Sequence, residues 1–454
     1  MAKPRRGDTI ELQIDDLAFG GDGVGRLDGY VMFVRGAVPG DLVRVRVTES
    51  RARYGRGAIV SIVHPSADRV DAPCPYFGSC GGCRLQHLAY PAQLAFKEKQ
   101  VRDCLARLGG LDAPEIRPIM GAADPYAYRN KMEFTIAGSP GAPTLGLHQA
   151  ERYDVVLDIE RCLLQSETMN TLLAEVRRDV RERGLSVYDP DSEQGLLRFV
   201  TLREARRSGE AMVNVVASSP DVETLGPLAV SLRARVPATA SVVLTVNSKK
   251  ASVAAGTEEH VLLGREHITE SLDGIAFEIS AGSFFQTNTV QAERLFQVVR
   301  DAAGLTGAET VVDLYCGTGA ISLLLARQAR WVYGIELIPA AVADATRNAR
   351  ANGITNATFL CGEVRHVLPD LVRQGVRADV AVADPPRAGF HPKALSVFAA
   401  LEARRIVYVS CNPATLARDL GDLTQRGYRP EWVQPVDMFP QTPHIEVVAR
   451  LARA

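Results

Sequence analysis

From residue 281 to the end, short apolar runs rich in β-branched residues alternate with amphipathic helical stretches, and that alternation leaves few folds open. A strand covered on both faces is continuously apolar. The runs at 310–314, 331–336, 358–361, 379–384 and 406–410 therefore predict the parallel sheet of a doubly wound α/β domain. The chain then finishes in two strands with no helix between them, 430–438 and 444–451, an antiparallel ending to that sheet. Ligands of such sheets bind beyond the carboxyl ends of the strands, so the residues at those ends come first.

The first strand runs into Tyr315-Cys316-Gly317-Thr318-Gly319, where glycines let the backbone approach a cofactor closely. The loop lacks the third glycine of the dinucleotide fingerprint, so no pyrophosphate is demanded. The second strand ends in Glu336, placed to take both hydroxyls of a ribose. Together these features predict S-adenosylmethionine. Asp384 ends the fourth strand, and the fifth stops at Ser410-Cys411-Asn412-Pro413, with Pro413 opening a helix. A thiol at that edge is a candidate nucleophile, although a lone cysteine is more often a small buried hydrophobe. Glu446 stands near the start of the last strand.

Three of the eight cysteines, Cys74, Cys80 and Cys83, crowd into ten residues around Gly81 and Gly82. Glycine allows the tight turn that would aim three sulfurs at one centre, and Cys162 is the candidate fourth ligand. Four thiolates suit either zinc or an iron–sulfur cluster, and spacing does not choose between them. The N-terminus has no apolar secretory core and no run approaches bilayer length, so the expectation is a cytoplasmic protein away from membranes. There, clustered cysteines point to metal or catalysis, not disulfides. A net charge of −1 leaves any nucleic-acid binding to local patches.

Such patches are present. Residues 1–63 predict a small β-barrel, and between Leu42 and Val60 five arginines face one acid, Glu49. Arginines with an interleaved Tyr54 suit single-stranded nucleic acid; a solvated charged face is the plain alternative. Residues 64–280 predict an α+β domain with a mostly antiparallel sheet, and the helix near 90–108 is expected to pack on the catalytic domain 281–454. In Tyr128-Arg129-Asn130-Lys131, the cations could meet phosphates and Tyr128 a base, with a plain strand edge as the alternative. Arg198, Arg203, Arg206 and Arg207 suggest a solvated edge.

With these residues in view, the whole chain resembles the RNA 5-methyluridine methyltransferases, most closely the branch with a TRAM domain and a [4Fe-4S] cluster that acts on 23S rRNA. The matching stretches are Cys74-x5-Cys80-Gly-Gly-Cys83-x-x-Gln86, Tyr128-Arg129-Asn130-Lys131, Phe285-Gln286-x-Asn288, Asp313-x-Tyr315-Cys316-Gly317-x-Gly319, Asp384-Pro385-Pro386-Arg387, Ser410-Cys411-Asn412-Pro413 and Phe439-Pro440-x-Thr442-x-His444-x-Glu446. The resemblance implies an N-terminal OB-like TRAM barrel, a central domain holding the cluster on Cys74, Cys80, Cys83 and Cys162, and a Rossmann-like class I methyltransferase domain. It implies Cys411 as nucleophile, Glu446 as base, and Gln286, Tyr315, Glu336 and Asp384 as contacts of S-adenosylmethionine or the reacting centre. RNA is the implied partner, rRNA before tRNA, and a monomer the expected form. Two readings compete. A radical methylthiotransferase also joins cysteine clusters to a TRAM domain, but needs C-x3-C-x2-C in a barrel. A non-catalytic RNA-binding factor has no need of Cys411 and Glu446 together.

Overall fold

Valines at 43, 45 and 47 alternate with arginines at 44 and 46, so one face of this strand can be buried only if the sheet curls around it. In the computed structural model, which describes residues 3–111, 114–139, 141–250 and 253–454, it does so. Strands β1 (Thr9–Leu17), β2 (Gly23–Leu27), β3 (Tyr30–Arg35), β4 (Leu42–Ser50) and β5 (Tyr54–His64) close a barrel in the order β1-β2-β3-β5-β4. The three valines fill its core with Leu12, Ile14, Met32 and Val34. Residues 1 and 2 of this segment lie outside the described residues. The outward arginines are less bare than a local count suggests. Arg44 pairs with Glu11 at 2.8 Å, Arg56 with Asp22 at 3.0 Å and Arg51 with Glu49. Glu11 and Asp22 come from elsewhere in the barrel, where linear counting misses them.

Helix α1 (Tyr90–Arg107) and the two-residue strand β6 (Glu115–Ile116) follow. The central sheet contains β7 (Lys131–Ser139), β8 (Ala142–Gln149), β9 (Arg152–Asp158), then, after α2 (Glu167–Glu182), β10 (Leu197–Glu204) and β11 (Ala211–Ala217). A crossover helix, α3 (Val222–Arg235), leads to β12 (Thr239–Val246) and β13 (Glu258–Gly264). The order is β13-β12-β11-β10-β7-β8-β9, antiparallel except where α3 makes β11 and β12 parallel. Helices α2 and α3 pack on one face. A hairpin, β14 (His267–Leu272) and β15 (Ile275–Ser280), and the helix after it cover part of the other.

Because β10 is a central strand covered on both faces, its two arginines do not form the expected solvated edge, whereas Arg207, beyond the strand, is exposed and pairs with Glu293. Arg198 and Arg203 are buried. Arg203 donates to the Ala281 carbonyl at 3.2 Å and to that of Ser283, and burial pulls its guanidinium down to about 10. Tyr128 is likewise buried, its hydroxyl donating to Pro440 O at 3.0 Å, so its ring is a structural brace and not an open platform for a base.

The C-terminal layer consists of α4 (Thr289–Ala303), β16 (Thr310–Leu314), α5 (Ala320–Ala326), β17 (Trp331–Glu336), α6 (Pro339–Ala351), β18 (Ala357–Cys361), α7 (Val364–Arg373), β19 (Val380–Ala383), α8 (Pro392–Ala399), β20 (Arg405–Ser410), α9 (Pro413–Gln425), β21 (Tyr428–Val436) and β22 (Glu446–Arg453). Its sheet order is β18-β17-β16-β19-β20-β22-β21-β6, with the first five strands parallel and β22 antiparallel. The edge strand β6 comes from the far N-terminal side of the sequence and runs parallel to β21. Helix α1 lies beside α9, burying Val101 and Leu105 in the core that holds Leu416, Ala417 and Leu420. A Cβ on Gly421 would stand 2.9 Å from Gly109 O, so glycine permits this approach. Among the described residues, no helix is long and apolar enough to cross a membrane.

Candidate active site

Strand β20 buries every residue from Ile406 to Ser410 and delivers Cys411 to the carboxyl edge. The turn is self-locking. Asn412 N–H donates to Ser410 Oγ at 3.1 Å, and Asn412 Oδ1 accepts from Ala414 N–H at 3.1 Å, capping α9. Asn412 Nδ2 donates to Arg387 O at 3.1 Å, tying this turn to the one after β19 that carries Asp384. Glu446, the first residue of β22, arrives from the neighbouring strand and is buried.

Three acidic groups therefore meet in a dry corner. Burial, then Glu446 and Asp384, push the Cys411 thiol up to about 11, partly opposed by Arg387. Burial also raises Asp384 to about 7 and, with Asp384, lifts Glu446 well above the carboxylate range. Arg387 donates through Nη2 to His444 Nδ1 at 2.9 Å, and burial with this cation holds His444 down to about 4. The arrangement offers a neutral nucleophile and two carboxyls with high proton affinity, which suits proton transfer at a buried carbon.

Beside this corner a cleft of about 60 Å³ is lined by Gln286, Asp313, Tyr315, Cys316, Gly317 and Asp384, among others. Its floor is the turn after β16. Tyr315 adopts φ +63°, unusual for a non-glycine residue, and Gly317 and Gly319 are also left-handed. A Cβ on Gly319 would meet Ala345 Cβ at 3.0 Å and Phe359 at 3.1 Å. Glu336 is one strand away. Its carboxylate accepts from Gly317 N–H at 3.0 Å and Ile338 N–H at 2.9 Å, bracing the glycine turn. Thus Gln286, Tyr315 and Asp384 share the cleft, and Glu336 is tied to its glycine turn through Gly317 N–H.

Two residues escaped selection from the sequence. Asp313 is fully buried and raised to about 7 by that burial; Ser322 donates to its Oδ2 at 2.5 Å. Its signal was an acid inside the apolar run Val311-Val312-Asp313-Leu314. Asn130 holds the strap that bears Gln286. Its Nδ2 donates to Gln286 O and Thr289 Oγ1, each at 2.9 Å, and its N–H to Thr287 O at 2.8 Å. Only the fold brings these segments together.

In the central domain, Cys74, Cys80, Cys83 and Cys162 line one cavity of about 410 Å³ with Gln86 and Arg129. Gly81 N–H donates to His148 O at 3.1 Å, and Cys162 N–H to Asn170 Oδ1 at 2.9 Å, fixing the two cysteine-bearing segments. Burial pushes Cys83 up to about 12 and raises Cys80 and Cys162. Among the described residues, no three His, Cys, Asp or Glu side chains close on one point as a single bound ion requires.

The tRNA (uracil-5-)-methyltransferase family model matches residues 247–454, and the TRAM domain model matches residues 3–60. An uncharacterised RNA methyltransferase of Halalkalibacterium halodurans is 42% identical over 450 residues, covering 99% of this chain and 98% of its own. The chain belongs to the RNA uracil-5 methyltransferases. A relative from Gloeobacter violaceus, also an uncharacterised RNA methyltransferase, is 42% identical over 99% of this chain and 97% of its own. The Pyrococcus abyssi tRNA (uracil-54, C5)-methyltransferase, solved with S-adenosyl-L-homocysteine, superposes with a TM-score of 0.76 at 30% identity, covering 98% of this chain and all of that one. As a member of this family, the uracil-5 methyltransferase described here takes its methyl group from S-adenosylmethionine and acts on RNA. The radical methylthiotransferase and non-catalytic readings give way to that assignment.

Proposed function

We propose that this enzyme methylates C5 of a uridine in 23S rRNA through a covalent bond from Cys411 to C6 of the base. The observation that carries the reading is the meeting of Cys411, Glu446 and Asp384 beside the Gln286–Tyr315 cleft. Uracil C5 is a poor nucleophile. Addition of the Cys411 thiolate to C6 moves the C5–C6 π electrons onto an enolate, and C5 then attacks the methyl group as its bond to the sulfonium sulfur breaks. S-adenosylhomocysteine leaves. Glu446, as carboxylate, next takes the C5 proton; C5=C6 re-forms and the C6–Sγ bond breaks, returning the thiolate. Asp384 orients the uracil edge, and Gln286, Tyr315 and Glu336 serve the cofactor, Glu336 also bracing the glycine turn. The base must leave its stack to enter such a corner, so a loop or single strand is the substrate.

The four thiols line one cavity, and four soft thiolates suit an iron–sulfur cluster, with zinc as the other metal that this donor set can hold. When bound, the group cross-links the segments around Cys83 and Cys162; the reaction itself requires no redox step. Protein purified without oxygen is expected to show broad visible absorbance and bound iron, lost on replacing Cys83 with serine.

Mass-spectrometric mapping of 5-methyluridine in RNA from a deletion strain, with complementation, tests the substrate. Loss of one 23S rRNA modification is expected. A tRNA uridine is the second reading, favoured by the full-length match to the Pyrococcus enzyme; loss from tRNA alone would select it, and loss from neither would overturn both. Separately, Asn130→Ala should loosen the Gln286 strap and weaken S-adenosylmethionine binding about tenfold, the equivalent of one or two hydrogen bonds, as read by calorimetric titration.

A further inference from the structure

Helix α1 presents Tyr90, Gln93 and Lys97 as a polar stripe at helical spacing, and all three reach the loop that leads to Glu446. The Tyr90 hydroxyl donates to Asp437 Oδ2 at 2.8 Å. Gln93 exchanges contacts with Gln441, its Oε1 accepting from the backbone N–H at 3.2 Å and its Nε2 facing Oε1 at 3.0 Å. Lys97 Nζ donates to Asp437 Oδ1 at 2.6 Å and Phe439 O at 3.2 Å. Lys97 is 1% exposed and its partner Asp437 0%.

Such a pair is a poor way to gain stability, because desolvating two charges cancels most of their attraction and apolar residues of similar size would pack as well. What it adds is a fixed geometry. The loop needs one: Gln441 sits at φ +66°, a left-handed conformation that costs about 1 kcal/mol or more in a non-glycine residue. From Phe439 the path to the chemistry is short. The Phe439 ring packs edge-on against His444 at 6.2 Å between centroids, His444 accepts from Arg387, and Glu446 is two residues further on.

We infer that Lys97 is a positioning residue for the proton-abstracting step, holding through Asp437 and Phe439 O the loop that aims Glu446. The inference rests on the role of Glu446 proposed above. The variants Lys97→Met, Lys97→Arg and the charge-free pair Lys97→Met/Asp437→Leu are compared with wild type and Glu446→Gln. Each is mixed in single turnover with a transcript spanning the mapped uridine, tritiated at C5, and labelled S-adenosylmethionine. Methyl transfer and tritium release are followed separately. A misaimed base should slow release about 10- to 100-fold while methyl transfer changes far less, so a methylated protein–RNA adduct builds up on denaturing gels. Lys97→Arg should restore part of the release. The charge-free pair leaves no buried carboxylate without its cation, so it reads the inference even where Lys97→Met alone fails to fold. Release and methyl transfer falling by one common factor, or neither changing, would overturn the inference. If Glu446→Gln itself releases tritium at the wild-type rate, the role of Glu446 falls instead.

Discussion

Replacing Cys411 with alanine is expected to abolish methylation of RNA and tritium release from 5-tritiated uridine, by at least about 10⁴-fold, while S-adenosylmethionine still binds. The expectation follows from division of labour at the sheet edge. The cleft proposed for the cofactor is lined by Gln286, Asp313 and the turn after β16, and Cys411 is not among its lining residues. Turnover retained by this variant would remove the covalent route. The surroundings also set a pH dependence. Burial and two nearby carboxyls hold the free thiol at about 11, so only a small fraction is thiolate at neutrality. Since kcat/KM reports the free enzyme, it should climb steadily from pH 6 to pH 9; a flat profile would contradict this.

Glu446→Gln should divide the reaction instead of silencing it. An amide accepts no proton, so the methyl group transfers once and the enzyme remains attached to its product precursor. A methylated covalent adduct is expected on denaturing gels, with tritium release down about 10²- to 10⁴-fold. The same change should stabilise the fold. Burial and Asp384 raise Glu446 above its ordinary value of 4.5, so folding takes up a proton at higher pH and stability declines as pH rises through that range. The amide removes this penalty. Its thermal midpoint should exceed that of wild type by a few degrees at pH 8 and match it near pH 4. Equal midpoints at both pH values would refute the burial argument.

The catalytic layer was largely legible in the sequence because parallel strands covered on both faces announce themselves as apolar runs, and their last residues fall at one edge by topology alone. Cys411, Asp384 and Tyr315 stand together at that edge for this reason. Local patterns were less reliable where the signal depended on what faced them. Arg198 and Arg203 looked like a charged edge because nothing in β10 reveals that its second face is covered. Tyr128 looked available to RNA because its partner, Pro440 O, lies 312 residues away. The barrel arginines looked unopposed because Glu11 and Asp22 are contributed by other parts of the barrel. The polar stripe of α1 was hidden behind its apolar periodicity for the same reason.

That stripe has a consequence during synthesis. Lys97 and Asp437 are separated by 340 residues, and a ribosome adding about 5 to 20 residues per second needs roughly 20 to 70 s to span them. For that interval the segment of α1 has neither α9 nor the base-bearing loop to cover it. An all-apolar helix left waiting so long would invite aggregation or capture by chaperones. A lysine, a glutamine and a tyrosine on the waiting face keep it wettable until the last strands emerge. The nascent chain thus carries its own protection, which disappears from view once Asp437 arrives.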